Sequence, residues 1–319
     1  MSERLDWYAS FLAFHFYEKG AKIGIKRNLD APYLGKPLLN TRQASDFIRS
    51  HIEQNQPLMA CRYGGDELNV TSATAAYQKG ISKALITKHH NLRYIYDSAG
   101  VFPEGEETLL KFGQVMLECS SEIDLLGVWY NIMEDYVVKK YAPKTVQFTH
   151  LRNLEPWYDP EHPWTASLKG KRVLIISPFV STMKAQYEKR ESLFPGTDIL
   201  PECDMQFFKA VVSGGGQKDE RFSDWFEALD YMYDKAMEIG FDVVILGCAS
   251  YGFPLAARFK KAGKAAIQLG GATQLLFGIK GSRWDNHPII SKLYNDSWVR
   301  LSKDEYFSDI NLVEKGCYW

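Results

Sequence analysis

The sequence lacks the short motifs that identify several common classes of enzyme. It has no CxxC or HExxH pair, which excludes the commonest zinc and redox sites, and no GxSxG elbow, so serine-hydrolase chemistry has no support. It also lacks GxGxxG and GxxxxGK[ST], the fingerprints of nicotinamide dinucleotide and P-loop ATP sites. The five cysteines are dispersed and odd in number, which indicates a reducing, cytoplasmic environment.

Neither sign of charge is in excess, and long apolar runs are absent. Lys and Arg number 38 and Asp and Glu 39, so the composition favours neither nucleic acid nor an anionic membrane as a partner. The stretch from Trp7 to Phe16 is too short to span a membrane and does not read as a signal peptide. We expect no transmembrane segment and an amphipathic N-terminal helix, which leaves a membrane-peripheral location open.

Short apolar runs alternate with helical patterns along the chain. Strands are predicted at 57–62, 123–129, 146–149, 171–176 and 243–246, with a further strand later in 240–284. Most of them are followed by a turn and a helix, and residues 70–97 read as mainly helical. The proportion of hydrophobic residues, 45%, is ordinary for a globular protein. The sequence therefore predicts an α/β fold with Rossmann-like parallel sheets flanked by helices.

A connector rich in proline and aromatic residues, 152–171, divides the chain. We place a boundary there between an N-terminal half, 1–155, and a C-terminal half, 166–319. Two α/β lobes and one sheet built from both halves are each compatible with this pattern. In either case we expect 1–319 to act as a single catalytic unit.

The most distinctive polar cluster is Arg62-Tyr-Gly-Gly-Asp-Glu67, directly after a predicted strand. Arginine binds phosphate oxygens with two parallel hydrogen bonds, glycine amides can surround an anion, and a carboxylate can act as a base or a metal ligand. Alternatively, Asp66 and Glu67 only stabilise the N-terminus of the following helix.

Two glycine turns in the second half also follow predicted strands. Gly247 to Gly252 ends the strand 243–246, and Gly270-Gly271 opens a further helix. In open α/β sheets such turns border the crevice that binds ligands, and the N-termini of the next helices favour anions. The alternative is that these glycines only allow close helix packing. The turns favour a ligand that carries phosphate.

Several separated motifs, taken in order, resemble one family of bacterial surface-polysaccharide proteins, the glycosyltransferases with the GT-D fold and their capsule-cluster relatives. The resemblance covers most of the chain. The motifs are the cluster 62–67, the stretch Pro163 to Phe179, Gly247 to Leu255, Gly270 to Trp284, and the ending Val313 to Trp319.

The resemblance implies a transferase that moves a sugar from a nucleoside diphosphate sugar, usually a uridine diphosphate sugar, to a hydroxyl of a glycan, glycolipid or glycoprotein acceptor. Glu67 is then the favoured catalytic carboxylate, with Asp66 beside it. The residues expected to bind the donor are Arg62, Gly64, Gly65, Ser177, Pro178 and Phe179 at the diphosphate, Ser250, Tyr251 and Gly252 at the nucleotide, and Gly270 and Gly271 at the floor.

This chain departs from the family pattern at the carboxylates. The family carries Asp-Gly-Glu where this chain has Gly65-Asp66-Glu67, so only Glu67 keeps its register. Two carboxylates on adjacent residues bind one cation less readily than two carboxylates at positions i and i+2. The resemblance implies a divalent cation, Mn²⁺ or Mg²⁺, with Asp66 as its candidate ligand, but the altered carboxylates support this cation less well than the family pattern would.

Two other functions remain open from the sequence. Another glycan-assembly enzyme, such as a pyruvyl or phosphoryl transferase, would use the same anion-binding loops with a different donor. A catalytically inactive sugar-nucleotide binder would explain the altered carboxylate register.

Overall fold

The structure is a computed structural model that describes residues 3–22, 24, 27–81 and 94–319. The strands are β1 Leu58–Cys61, β2 Leu125–Val128, β3 Gln147–His150, β4 Arg172–Ser177, β5 Asp204–Lys209, β6 Val243–Leu246, β7 Ala265–Gln268, β8 Ile279–Lys280 and β9 Val299–Arg300. The first seven form one parallel sheet in the order β3-β2-β1-β7-β6-β4-β5, and β8 pairs separately with β9.

Helices lie on both sides of the sheet. They are α1 Glu3–Ala21, α2 Thr41–Glu53, α3 Gly65–Gln78, α4 Tyr94–Asp97, α5 Glu106–Cys119, α6 Glu134–Tyr141, α7 Val180–Tyr187, α8 Arg190–Leu193, α9 Trp225–Ile239, α10 Gly252–Lys261 and α11 Thr273–Leu276. The clearest start signal is at α2, where Asn40 and Gln43 form a reciprocal capping box.

The central strands are continuous apolar runs because both of their faces are covered. In β1, Leu58 and Ala60 belong to the core on one face of the sheet, and Met59 and Cys61 to the core on the other. β2, β6 and β7 are likewise buried along their whole length. This two-sided burial is what a parallel sheet requires, since its crossover connections place helices on both faces.

The order of the strands opens a crevice at their carboxyl ends. The helices that follow β1 and β6, α3 and α10, pack on the face of Met59 and Cys61. The helices that follow β4 and β7, α7 and α11, pack on the opposite face. Where neighbouring strands send their chains to opposite faces, the loops diverge and leave space for a ligand.

The parallel α/β prediction is confirmed, and the connector 152–171 does not separate two sheets. Strands from the two halves join directly, because β1 pairs with β7 through Leu58–Ala265 and Ala60–Ile267. β5 lay outside the strand predictions; it is an edge strand whose residues are partly exposed. Of the predicted helix 70–97, α3 ends at Gln78, α4 covers its last residues, and 82–93 lies outside the described residues.

The N-terminal segment forms the predicted helix, but the polarity of its faces differs from the prediction. Trp7 is buried against the core, whereas many of the outward residues are also apolar. The exposed large apolar residues of the helix are Leu5, Tyr8, Leu12, Phe16 and Tyr17, and they alternate with exposed polar residues such as Arg4 and Glu18. None of the helices that the structure describes has the length and apolar character of a membrane-crossing segment.

Candidate functional site

A cleft of about 280 Å³ lies at the carboxyl ends of the strands. Loops after six of the seven strands of the main sheet contribute to it, together with the C-terminal segment. The lining residues fall within 62–67 after β1, Ser98–Gly100, Trp129 after β2, Pro178 and Phe179 after β4, Ala210–Gly214 after β5, Gly247–Tyr251 after β6, Gln268–Gly271 at β7, Arg283, and 307–319.

Most of the residues predicted to form the site do line this cleft. They are Arg62, Gly64, Gly65, Asp66, Glu67, Pro178, Phe179, Tyr251, Gly270 and Gly271. The strand order explains why they meet, since the loops after β1, β7, β6 and β4 are neighbours at one edge of the sheet. Ser177, Ser250 and Gly252, which were also predicted, are buried and do not belong to the lining of the cleft.

Each of the three has an internal partner instead. The Ser177 hydroxyl accepts a hydrogen bond from the Phe179 N–H at 3.2 Å, which shapes the loop after β4. The Ser250 hydroxyl donates to the Ala99 carbonyl at 2.6 Å and accepts from Trp225 Nε1 at 2.9 Å. A Cβ on Gly252 would lie 3.2 Å from the Gln268 side chain, so this glycine allows α10 to approach β7.

Arg62 lies at the junction of the β1 and β7 loops. Its backbone N–H donates to Gln268 Oε1 at 3.2 Å, and this hydrogen bond connects the end of β1 to the end of β7. Its guanidinium carbon lies 5.3 Å from the centroid of the Trp129 ring. The planar cation is thus positioned in the cleft by packing, with an aromatic ring on one side.

Asp66 and Glu67 occupy the first turn of α3, beside Arg62. Burial raises the pKa of Glu67, Asp66 and Glu314 raise it further, and its own N–H and Arg62 oppose the rise. Burial and then Glu314 likewise raise the pKa of Asp66. The Glu67 carboxylate turns back toward Gly64, where a Cβ would lie 1.8 Å from Oε2.

The C-terminal segment forms a wall of the cleft that sequence reasoning did not place there. Arg283 donates to Glu314 Oε2 at 2.8 Å and to the Tyr318 hydroxyl at 3.1 Å, and that hydroxyl donates to Glu314 Oε1 at 2.9 Å. The Tyr318 ring rests on Gly271, where a Cβ would lie 2.2 Å from Cε1. The motif 313–319 was part of the family resemblance, but spacing alone did not give its position.

Part of the cleft lining is aromatic. The Phe179 and Phe307 rings stack with centroids 5.9 Å apart, and Trp319 meets Phe307 edge-on at 5.1 Å. Tyr251 stacks on Trp225 at 5.0 Å, and its hydroxyl is 2.9 Å from Ser213 Oγ. Tyr251 therefore both lines the cleft and holds the loop after β5. The cleft lining thus combines charged groups with aromatic rings.

The side chains present do not assemble a metal centre by themselves. Within 3–22, 24, 27–81 and 94–319, no three His, Cys, Asp or Glu side chains are grouped so as to hold an ion. Asp66 and Glu67 are adjacent on a helix, and Glu67 is turned toward its own helix start.

Comparisons of the chain with protein families, with curated proteins and with solved structures found no match. The indications of function therefore lie in the cleft. Two of its features carry chemical information: the cationic and glycine-lined end at the N-terminus of α3, and the carboxylates with raised pKa beside it.

Proposed function

We propose that this protein is a glycosyltransferase that moves a sugar from a nucleoside diphosphate sugar, with uridine diphosphate as the expected nucleotide, to a hydroxyl of a surface-glycan acceptor. The observation that carries the proposal is the meeting of Arg62, the N-terminus of α3 and two carboxylates in one cleft. The motifs shared with GT-D glycosyltransferases support it. The seven-stranded parallel sheet is compatible with that family but is common to many others.

The charged part of the cleft lining suits a diphosphate. Gly64 precedes α3 without a side-chain cap, and the Glu67 carboxylate accepts a hydrogen bond from its own N–H, so the amides of Gly65 and Asp66 remain for an anion. Arg62 provides a guanidinium beside them, and Arg283, which is paired with Glu314, adds a second one to the lining. These groups would stabilise the negative charge that develops on the leaving nucleoside diphosphate.

Glu67 is the proposed general base, with Asp66 as the neighbouring candidate. In this mechanism the acceptor oxygen bonds to the anomeric carbon, and its proton passes to the carboxylate. The bond between the anomeric carbon and the phosphate oxygen breaks, and its electron pair leaves with the nucleoside diphosphate. A carboxylate whose pKa is raised by burial is a better proton acceptor near neutral pH than an exposed one.

The aromatic part of the cleft lining suits the nucleobase. Phe179, Phe307 and Trp319 present rings there, and a planar base gains from stacking and from leaving water. The distribution of charge and rings would thus orient the donor with its diphosphate toward Arg62.

Isothermal titration calorimetry tests the donor assignment. We expect uridine diphosphate and its sugars to bind saturably, and nicotinamide dinucleotides and S-adenosylmethionine not to bind. A thermal-shift series with and without Mn²⁺ or Mg²⁺ gives a second readout, because a ligand that binds only the folded state raises its stability. Binding of a nicotinamide dinucleotide with no response to any uridine nucleotide would refute the proposal.

One observation favours a second candidate, a sugar-nucleotide binder without transfer activity. The Glu67 carboxylate faces Gly64 at its own helix start, which is the position of a residue that only stabilises the helix. Such a protein would bind uridine diphosphate sugars but would neither transfer nor hydrolyse them. Turnover assays with purified protein separate the two functions.

A further inference from the structure

Trp129 is the exposed aromatic residue of the cleft. It follows β2 directly, lines the cleft, and has 45% of its surface accessible. The other rings of the lining are less exposed: Tyr251 is at 2%, Phe179 and Trp319 are at 8%, and Phe307 and Tyr318 are half-buried. Trp129 therefore lies at the mouth of the cleft and not in its interior.

The backbone at Trp129 is held in place by a buried carboxylate. Glu134, 1% exposed, accepts hydrogen bonds from the N–H of Trp129 at 3.2 Å and of Tyr130 at 2.7 Å. Tyr130 and Met133 both have positive φ, 56° and 62°, which is unfavourable for residues with a side chain. Strained backbone that the surroundings hold in place is found mainly at functional sites.

Residues outside the loop 129–133 also hold it in place. The Arg27 guanidinium lies 4.7 Å from the Tyr130 ring centroid, and Tyr33 meets the same ring edge-on at 5.8 Å. These contacts fix Tyr130 and leave the neighbouring indole directed into the cleft mouth. Trp129 is thus an exposed ring on a backbone that is held in place. An aromatic side chain of this kind loses little conformational entropy when a ligand stacks on it.

The position of the loop relates Trp129 to the proposed chemistry. A Cβ on Gly65, the first residue of α3, would lie 3.9 Å from Asn131 Oδ1, so the loop adjoins the turn that carries Asp66 and Glu67. Arg62 lies between the indole and the glycine floor. A ring stacked on Trp129 would therefore have its substituents near the carboxylates and the diphosphate end.

We propose that Trp129 is the platform of an acceptor subsite, on which the apolar face of a pyranose ring of the acceptor glycan stacks. The proposal rests on the proposed transferase function. The donor is a small molecule that the enclosed part of the cleft can surround, whereas a glycan acceptor must remain partly in solvent. An exposed, rigid indole at the mouth fits the second requirement, because aromatic rings offer a large apolar surface to flat partners.

The experiment compares Trp129→Ala with Trp129→Phe and with Tyr77→Ala. Tyr77 is an exposed aromatic, 49% accessible, on α3 outside the cleft lining, and serves as the matched control. Transfer from uridine diphosphate sugars is measured with a panel of para-nitrophenyl glycosides as acceptors. Calorimetry with uridine diphosphate and hydrolysis of the donor by water are measured in parallel.

We expect Trp129→Ala to raise the acceptor KM by about tenfold or more, the scale of one lost aromatic contact. Because Trp129 also packs beside Arg62, we expect the affinity for uridine diphosphate and the rate of donor hydrolysis to fall as well, but by a smaller factor than the factor by which the acceptor KM rises. Trp129→Phe should recover most of the acceptor affinity, and Tyr77→Ala should match wild type. Thermal denaturation verifies that each variant folds.

These measurements distinguish failure of the transferase function from failure of the acceptor subsite. If the wild type binds no uridine nucleotide, the transferase function falls and the subsite falls with it. If the wild type transfers sugar and Trp129→Ala keeps its acceptor KM, only the subsite is refuted. A variant that loses at least as much donor affinity as acceptor affinity would make Trp129 a support for Arg62 and would also overturn the subsite.

Discussion

The Arg62 guanidinium packs on the backbone of Gly270, where a Cβ would lie only 2.2 Å from Nη2. Gly270 also has a φ of +60°, so two independent constraints require glycine at this position. The contact joins the loop after β1 to the loop after β7 and sets the position of the cation in the cleft.

Gly270→Ala should therefore weaken uridine diphosphate binding as well as stability. The left-handed backbone costs an alanine about 1–2 kcal/mol, and the methyl group displaces Arg62. Gly263→Ala is the matched control, because Gly263 has a φ of +80° but open space around its Cα. Calorimetry and urea denaturation should show a similar stability loss in both variants and an affinity loss in Gly270→Ala alone. Equal affinities would mean that Arg62 tolerates displacement or does not bind donor.

Arg62→Ala should weaken binding of uridine diphosphate by about ten- to a hundredfold, because a charge-assisted phosphate contact typically contributes about 1.5–3 kcal/mol. Arg49→Ala, on the outer part of α2 and paired with Glu53, is the control and should bind like wild type. Titration calorimetry measures both. Unfolding of Arg62→Ala, or normal donor affinity, would assign Arg62 a structural role.

Glu67→Gln should lower transfer by about 10²–10⁴ with little change in the donor dissociation constant, as is usual when a general base is removed. Its activity should also lose the acidic limb of the wild-type pH profile, which the raised pKa of Glu67 places above that of an ordinary glutamate. Asp66→Asn is the comparison. A larger loss in that variant, together with loss of any response to Mn²⁺, would transfer the role to Asp66.

Glu134 should make folding stability depend on pH. Burial raises the pKa of Glu134 from 4.5 to about 7, with Asp135 adding to the rise and the Trp129 and Tyr130 amides and Arg27 opposing it. Below the ordinary value both folded and unfolded chains hold the proton. Between 4.5 and about 7 only the unfolded chain ionises, so this group lowers stability as pH rises, by about 3 kcal/mol in total.

Urea denaturation of wild type and Glu134→Gln at about pH 5 and about pH 8 isolates this contribution, since the other titrating groups are common to both. The wild type should lose more stability than the variant on going to the higher pH. Parallel losses in the two proteins would show that Glu134 ionises normally in the folded state.

Most strands of the main sheet, and the polar turns that follow them, could be predicted from the sequence. A buried parallel strand is apolar on both faces, so 57–62, 171–176 and 243–246 could be recognised locally, and β1, β4 and β6 lie within or close to these ranges. The cluster 62–67 could be placed at a strand end for the same reason. β5 gave no such signal, because an edge strand with partly exposed residues is not a continuous apolar run.

Which loops meet, and which way their side chains point, depends on the packing of the whole chain. Trp129 enters the cleft because β2 lies beside β1, and Glu314 and Tyr318 enter it because the C-terminal segment packs on Gly271. These are contacts between distant parts of the chain. Ser250 precedes Tyr251 in one turn, yet Ser250 bonds to Ala99 behind the wall while Tyr251 lines the cleft. Side-chain direction in a loop depends on the backbone torsions and on the surrounding partners, and residue spacing contains neither.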